Sequence, residues 1–229
     1  LKVKRARYSP LDLITAIKKA DPDTVISTLG YLNEMLSVML PFLPKSIHFI
    51  ARESSVPSLR NQANLHSKLH NWIYKRYMKR FDIIVCQSNE MFDDLSIEYG
   101  IPNQQMVIID NPVDTEYIRR KSKEECLELD AEKSNIVAVG SLKKVKNYKL
   151  LIEEAALSDS NTKYWIIGEG EERCNLEALI SGKGLEGKVI LLGHQKNPWK
   201  YMAKADHFWQ KSHWEGNSNA LKEWGTIKS

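Results

Sequence analysis

Glu215 and Glu223 are separated by seven residues in the stretch Ser212-His-Trp-Glu-Gly-Asn-Ser-Asn-Ala-Leu-Lys-Glu223. The Glu-Gly turn at 215–216 leads into a helical pattern that carries the second acid. Such a segment can meet a nucleotide diphosphate-sugar at several points. The amides after Gly216 open a helix, where unpaired N–H groups and the helix dipole favour a phosphate. Gly216 lets the backbone come close to the ligand. Glu223, about two turns further on, can accept both hydroxyls of a ribose, and Glu215, at a strand end, would face the sugar being moved. Two solvated glutamates flanking an ordinary turn are the competing reading of so short a pattern.

Three earlier segments bear on that choice. After Ile136–Val139 comes Gly140-Ser141-Leu-Lys-Lys-Val-Lys146, with Lys146 just ahead of a helix and able to neutralise a diphosphate. After Tyr164–Ile167 comes Gly168-Glu-Gly170, a glycine turn that enters a helix. After Val189–Leu192 comes Gly193-His-Gln-Lys-Asn-Pro198, whose backbone could read a base. A lone Gly-x-Gly is most often just a turn; the order and spacing of all the segments together carry the argument.

Those residues need a scaffold, and the chain alternates short β-rich runs with amphipathic stretches. The predicted strands are Thr24–Thr28, Ser46–Ala51, Ile83–Gln87, Met106–Ile109, Asn135–Gly140, Lys163–Gly168, Lys188–Gly193 and His207–Gln210. Helical faces are marked by Leu11, Ile14 and Ile17, by Tyr148, Leu151, Ile152, Ala155 and Ala156, and by Leu176, Leu179 and Ile180. The alternation predicts an α/β protein of two Rossmann-like lobes, with parallel sheets flanked by helices. Asn111-Pro-Val-Asp114 is a turn-forming stop, and a charge-dense stretch follows it. The predicted organisation is one lobe over 1–112, a linker over 113–134 and a second lobe over 135–229. In open α/β sheets ligands gather at the carboxyl ends of strands, which is where the segments above lie.

With 229 residues, 42% of them hydrophobic and 27% charged, the chain has the composition of a soluble globular protein. No apolar run is long enough to span a bilayer, and Leu1-Lys-Val-Lys-Arg has no apolar stretch behind it to make a signal peptide. Cys86, Cys126 and Cys174 suggest neither a disulfide framework nor a zinc cluster, and Cys86, ending an apolar strand, should be buried and inert. His66 and His70 have the spacing of a metal pair but no third ligand, so no metal site is expected. The formal charge of +4 is split: residues 1–80 hold 14 Lys/Arg against 5 Asp/Glu, and residues 81–229 hold 19 against 24. Basic residues gather over Lys68–Arg80, interleaved with Trp72, Tyr74 and Tyr77. That pattern suits an anionic membrane surface, with a solvated helix face as the alternative. No nucleic-acid partner is expected, because no recognisable binding motif accompanies the charge.

Taken in order, these segments resemble the retaining glycosyltransferases of the GT-B fold, the family 4 group (glycosyl transferases group 1) that builds lipopolysaccharide, capsule and other glycoconjugates. Asp21-Pro-Asp-Thr-Val-Ile-Ser27, Arg52-Glu-Ser54 and Asn111-Pro-Val-Asp114 look like landmarks of the acceptor lobe. Gly140 to Lys146, Ile167-Gly-Glu-Gly170, Leu192-Gly193, Ala205-Asp206 and Glu215 to Glu223 look like the donor lobe.

The resemblance implies a UDP- or GDP-linked sugar donor, a glycan or lipid-linked acceptor, and no cofactor or essential metal. Lys146 would hold the diphosphate and Glu223 the ribose. Glu215 and the backbone of Gly216, Asn217 and Ser218 would meet the sugar and the distal phosphate. The turns at Gly168 and Gly193 would border the base, and Arg52 would line the acceptor side. The expected location is cytoplasmic, peripheral on the inner face of the plasma membrane.

There are departures from the family pattern. Ser141 stands where relatives usually carry Arg, so one phosphate contact is missing unless Lys143 or Lys144 replaces it. Relatives continue Glu-Ala-Met-Ala past the second glutamate, whereas this chain reads Glu223-Trp-Gly-Thr-Ile-Lys-Ser229. They also carry a strand and glycine-rich loop ahead of the equivalent of Leu1, so both lobes are expected to be incomplete. An inactive remnant that at most binds nucleotide, and a GT-B nucleotide-sugar epimerase, are the alternative readings.

Overall fold

The computed structural model describes residues 10–62, 65–126, 128–130 and 132–229. The chain divides into two compact units, Leu1–Asn111 with Glu215–Asn217, and Pro112–Trp214 with Ser218–Ser229. Among the described residues no helix is long and apolar enough to cross a membrane.

In the first unit, strands β1 (Thr24–Ser27), β2 (His48–Arg52), β3 (Ile83–Cys86) and β4 (Met106–Ile108) form a parallel sheet in that order. They alternate with helices α1 (Pro10–Ala20), α2 (Gly30–Met39), α3 (Pro57–Gln62), α4 (Ser67–Tyr77) and α5 (Asn89–Tyr99). Local chemistry sets the helix ends: Ser88 accepts a hydrogen bond from the Met91 amide to start α5, and Gly100, at φ 65°, ends it in the left-handed conformation that glycine tolerates. Phe49, Ala51, Ile84 and Cys86 from the strands pack on Leu36, Tyr74, Met78 and Leu95 from the helices. Cys86 is fully buried, and that burial pushes its thiol up to about 12.

A polar cluster lies inside this core. Arg60 donates to Glu34 (3.1 Å), Glu53 (3.4 Å) and the Tyr74 hydroxyl (2.7 Å), and Tyr74 donates to Glu53 at 2.9 Å. His70 Nδ1 lies 2.6 Å from Glu34 Oε2, so His70 joins α4 to α2. Burial raises the Glu53 carboxyl above its usual value despite the opposing pull of Arg60.

In the second unit, β5 (Ser134–Val139), β6 (Thr162–Ile167), β7 (Val189–Gly193) and β8 (His207–Phe208) form a parallel sheet in the order β7-β6-β5-β8. Side chains alternate along the strands. Ala138 and Ile166 join Leu151, Ile152, Leu176 and Ile180 of α7 (Tyr148–Leu157) and α8 (Arg173–Gly182). Val137, Trp165 and Ile167 join the opposite layer, with Tyr201 and Met202 of α9 (Trp199–Lys204) and Trp224 of α10 (Asn219–Lys228). Leu11 and Ala156, read as core-facing, are exposed.

Part of the stretch read as a linker, 113–134, forms a helix of this second layer. Asp114 accepts from the Tyr117 amide and starts α6 (Thr115–Ser122), and Tyr117 packs edge-on against Trp199 at 5.5 Å. Its charge density hid the helix: only Ile118 of α6 is buried.

Candidate active site

After β7 the chain returns to the far side of β5, so strand order reverses beside β5. That is the switch point at which open α/β sheets form a crevice. An open cleft of about 350 Å³ lies at the carboxyl ends of β5, β6 and β7, lined among others by Gly140, Ser141, Gly168, Glu169, His194 and Gln195. Its floor is main chain. A Cβ on Gly168 would stand 1.9 Å from the Gly140 carbonyl oxygen, and the Gly168 amide donates to the Gly193 carbonyl at 2.9 Å. Gly193 has φ +73°, a conformation side chains rarely adopt. These turns therefore stack closely because none carries a side chain.

Lys146 closes a 3-10 turn and precedes Asn147, which is left-handed at φ 56° and sets the entry to α7. The Lys146 side chain runs over the first glycine turn: its Cε would lie 3.3 Å from a Cβ on Gly140. The Lys146 stem thus passes over the first glycine turn. Lys143 and Lys144 go elsewhere. They line a separate cavity of about 270 Å³ with Tyr148, Glu172 and His213, so neither replaces the missing arginine at Ser141 within the cleft.

Glu223 sits on α10, half-buried. One of its oxygens accepts from the Trp199 indole at 2.9 Å, and Trp199 follows Pro198, which lines the cleft. Desolvation raises its carboxyl, and the Trp199 bond opposes the rise. Trp199 was missed in the sequence; an aromatic directly after the third glycine turn was the available signal. Ser218 caps α10, accepting from the Leu221 amide at 3.3 Å and donating to Gln210 at 2.6 Å. The helix opens at Asn219, and its cap is a serine side chain.

The sequence reading put Glu215 at a strand end in the second lobe. β8 instead ends at Phe208, and Glu215–Asn217 groups with the first unit. A Cβ on Gly216 would meet Met91 and the Ser54–Ser55 backbone. Asn217 Nδ2 donates to the Gln87 carbonyl at 2.6 Å and to Asp110. In the same unit Arg52, which ends β2, donates to Asn111 Oδ1 at 2.6 Å, and Asn111 donates to Gln87 at 3.1 Å. Arg52 is thus tied to Asn111. The site residues fall into two groups: Gly140, Ser141, Lys146, Gly168, Gly193, Ser218 and Glu223 in the second unit, and Arg52, Glu215, Gly216 and Asn217 in the first. Among the described residues no cluster of three His, Cys, Asp or Glu side chains could hold a metal.

Residues 3–117 match the family described as Glycosyltransferase Family 4, and residues 119–223 match Glycosyl transferases group 1. The chain belongs to glycosyltransferase family 4. One family relative is the N-acetylgalactosamine-N,N'-diacetylbacillosaminyl-diphospho-undecaprenol 4-alpha-N-acetylgalactosaminyltransferase of Campylobacter jejuni, 33% identical over 82% of this chain and 51% of that protein. Another is the uncharacterized glycosyltransferase MJ1059 of Methanocaldococcus jannaschii, 26% identical over 97% of this chain and 57% of that protein. The chain therefore spans about half the length of these curated relatives.

The fold is shared with Anabaena Alr3699/HepE in complex with UDP-glucose, at a TM-score of 0.75 and 14% identity over 95% of this chain and 60% of that one. Sucrose-phosphate synthase from Thermosynechococcus elongatus has a TM-score of 0.75 at 13% identity, over 95% of this chain and 57% of that one. The two parallel sheets flanked by helices are those of the family 4, GT-B architecture.

Proposed function

We propose that this family 4 chain serves a glycosyltransferase that moves a sugar, with retention, from a UDP- or GDP-linked donor to a glycan or lipid-linked acceptor in surface polysaccharide synthesis. The observation that carries the reading is the glycine-floored cleft at the ends of β5–β7 with the Lys146 side chain laid over Gly140. The Campylobacter relative's name gives a diphospho-undecaprenol acceptor, and that of LpsE from Rhizobium meliloti gives lipopolysaccharide core biosynthesis.

Sugar transfer builds positive charge at the anomeric carbon and negative charge on the departing diphosphate. Catalysis then rests on fixed donors aimed at that leaving group. In this reading Lys146 and the opening of α10 supply them, Glu223 accepts from the ribose and Glu215 meets the sugar. The roles assigned need no metal ion. Same-face attack, with the leaving phosphate helping to deprotonate the acceptor, accounts for retention; a sugar trapped covalently on Glu215 would contradict it.

Titration with UDP and with GDP tests the reading. Lys146→Ala should weaken diphosphate binding tenfold or more, the loss of one charge-assisted hydrogen bond of roughly 1.5–3 kcal/mol. Unchanged affinity overturns the role given to the lysine. Ser141, which removes an arginine from the cleft wall, favours a second reading in which the unit binds nucleotide without transferring sugar. Nucleotide binding without transfer to any lipid-linked or glycan acceptor would select it.

A further inference from the structure

Trp199 opens α9 directly after the third glycine turn, and its ring is braced from several sides. The turn is tethered to α6: Asn197 Nδ2 donates to the Lys121 carbonyl at 2.9 Å and to Glu124 at 2.8 Å. The Pro198 carbonyl accepts from the Tyr201 and Met202 amides, both at 3.1 Å, which sets the direction in which α9 leaves the turn. Tyr201 and Met202 are buried, and Tyr117 of α6 meets the Trp199 ring edge-on at 5.5 Å. The indole N–H is thus aimed from a fixed position, and it donates to Glu223 Oε2 at 2.9 Å.

Glu223 has little else to orient it. Among the described residues the indole is the hydrogen-bonding partner of this carboxylate, and no cation pairs with it. As a prop for α10 the contact is poor, because half-burying an acid against a neutral donor costs stability that a cation would have offset. The helix is held by other means: Ser218 caps it, and Trp224 stacks on Phe208 at 5.5 Å. Desolvated acids of this kind gather where a ligand uses them.

We propose that Trp199 is a positioning residue for the donor: its indole N–H holds the Glu223 carboxylate in the orientation from which Oε1 accepts from a ribose hydroxyl. This role rests on the reading of the cleft as a donor site. It sharpens that reading, because with Oε2 engaged by the indole, Oε1 is the oxygen offered to the ribose. Without the indole the Glu223 side chain regains its rotamers, and that freedom is lost again when the nucleotide binds.

Calorimetry on the full chain compares UDP or GDP, whichever binds more tightly, with its dideoxy form, which lacks both ribose hydroxyls. The parent should prefer the ordinary nucleotide by about tenfold or more, as one hydrogen bond to a charged group provides. Trp199→Phe keeps a ring against Tyr117 and removes the donor, so circular dichroism should match the parent. It should cut the preference to within about threefold and leave affinity for the dideoxy form within about twofold. In a Glu223→Ala background the same substitution should change neither affinity by more than about twofold. A merely structural ring would weaken both nucleotides alike. That result, or a preference that survives in Trp199→Phe, overturns the role of the indole and leaves the donor-site reading standing. A parent that binds nucleotide with no preference for the ribose hydroxyls overturns the ribose role of Glu223 and the proposal with it. A parent that binds neither UDP nor GDP overturns the donor-site reading itself.

Discussion

The contact of the first two glycine turns sets a test of the cleft. In Gly168→Ala the new methyl carbon would be placed 1.9 Å from the Gly140 carbonyl oxygen, whereas ordinary C···O contacts fall at about 3.3–3.6 Å. The turns must separate by roughly 1.5 Å, because the obstacle is backbone and cannot rotate away. Gly168 also has φ +151°, outside the range side chains favour, and its amide bond to the Gly193 carbonyl would stretch. Backbone strain of about 1–3 kcal/mol and loss of about 1 kcal/mol of hydrogen bonding give a destabilisation of about 2–4 kcal/mol. For a chain of this size that is a fall in midpoint temperature of roughly 5–15 °C.

The ligand should report the same event: with the floor displaced, UDP affinity by calorimetry should drop tenfold or more, since displacements near 1 Å cost this order in a preorganised site. Gly182→Ala is the matched control. It adds the same methyl to the last residue of α8 with nothing within 4 Å, and should stabilise by about 0.5–1 kcal/mol without touching UDP binding. A Gly168→Ala protein as stable as the parent, binding UDP equally well, would refute the stacked-turn account of the cleft.

Other tests address single contacts. Lys143→Ala with Lys144→Ala should leave UDP affinity within about twofold, because both lysines line the separate cavity; a drop comparable to that of Lys146→Ala would return one of them to the phosphate site. The folded protein holds the Glu223 proton more tightly than the unfolded chain does. That contribution to stability is complete below the unfolded value near 4.5 and is lost as pH rises through the higher folded value. Glu223→Gln should therefore gain stability over the parent as pH rises from 4 to 7, and superimposable urea midpoints across that range would rule this out. Arg60→Ala leaves Glu34 and Glu53 buried without their cation and should cost about 3–5 kcal/mol in urea unfolding. Native alkylation at pH 8 should label exposed Cys174 and spare Cys86 until the protein unfolds; rapid labelling of Cys86 would contradict its burial.

The strands were legible because buried parallel strands are written as continuous apolar runs between turn residues. Each of the eight appears where it was read, with ends moved by a residue or two, as at β8, where pairing stops at Phe208. The glycine turns were legible for a related reason: Gly140 and Gly168 each follow a strand directly and Gly193 ends one, so their position at the sheet's carboxyl edge is fixed by chain order. What stayed hidden depends on partners far away in sequence. Trp199 and Glu223 are 24 residues apart, Asn217 and Asp110 are 107 apart, and no local period announces either pair. Helix α6 was hidden differently, by eight residues that bury only Ile118 and otherwise look like a charged connector.

The main chain of Gly140 and Gly168 sets the floor of the cleft, and side chains make its walls. Ser141, His194 and Gln195 stand on those walls. Gln195 is the most constrained of them: its Nε2 donates to the Leu192 carbonyl at 3.0 Å and its Oε1 accepts from Tyr201 at 3.3 Å. A side chain held at both ends reads a ligand with little loss of rotamer freedom. Choice between nucleotide bases should accordingly follow the third turn, while affinity for the diphosphate follows Lys146. Exchanging His194 and Gln195 for alanine should shift the ratio of UDP to GDP affinity and leave the effect of Lys146→Ala on both nucleotides unchanged. If the ratio holds and overall affinity falls for both alike, the walls support the turn and do not read the base.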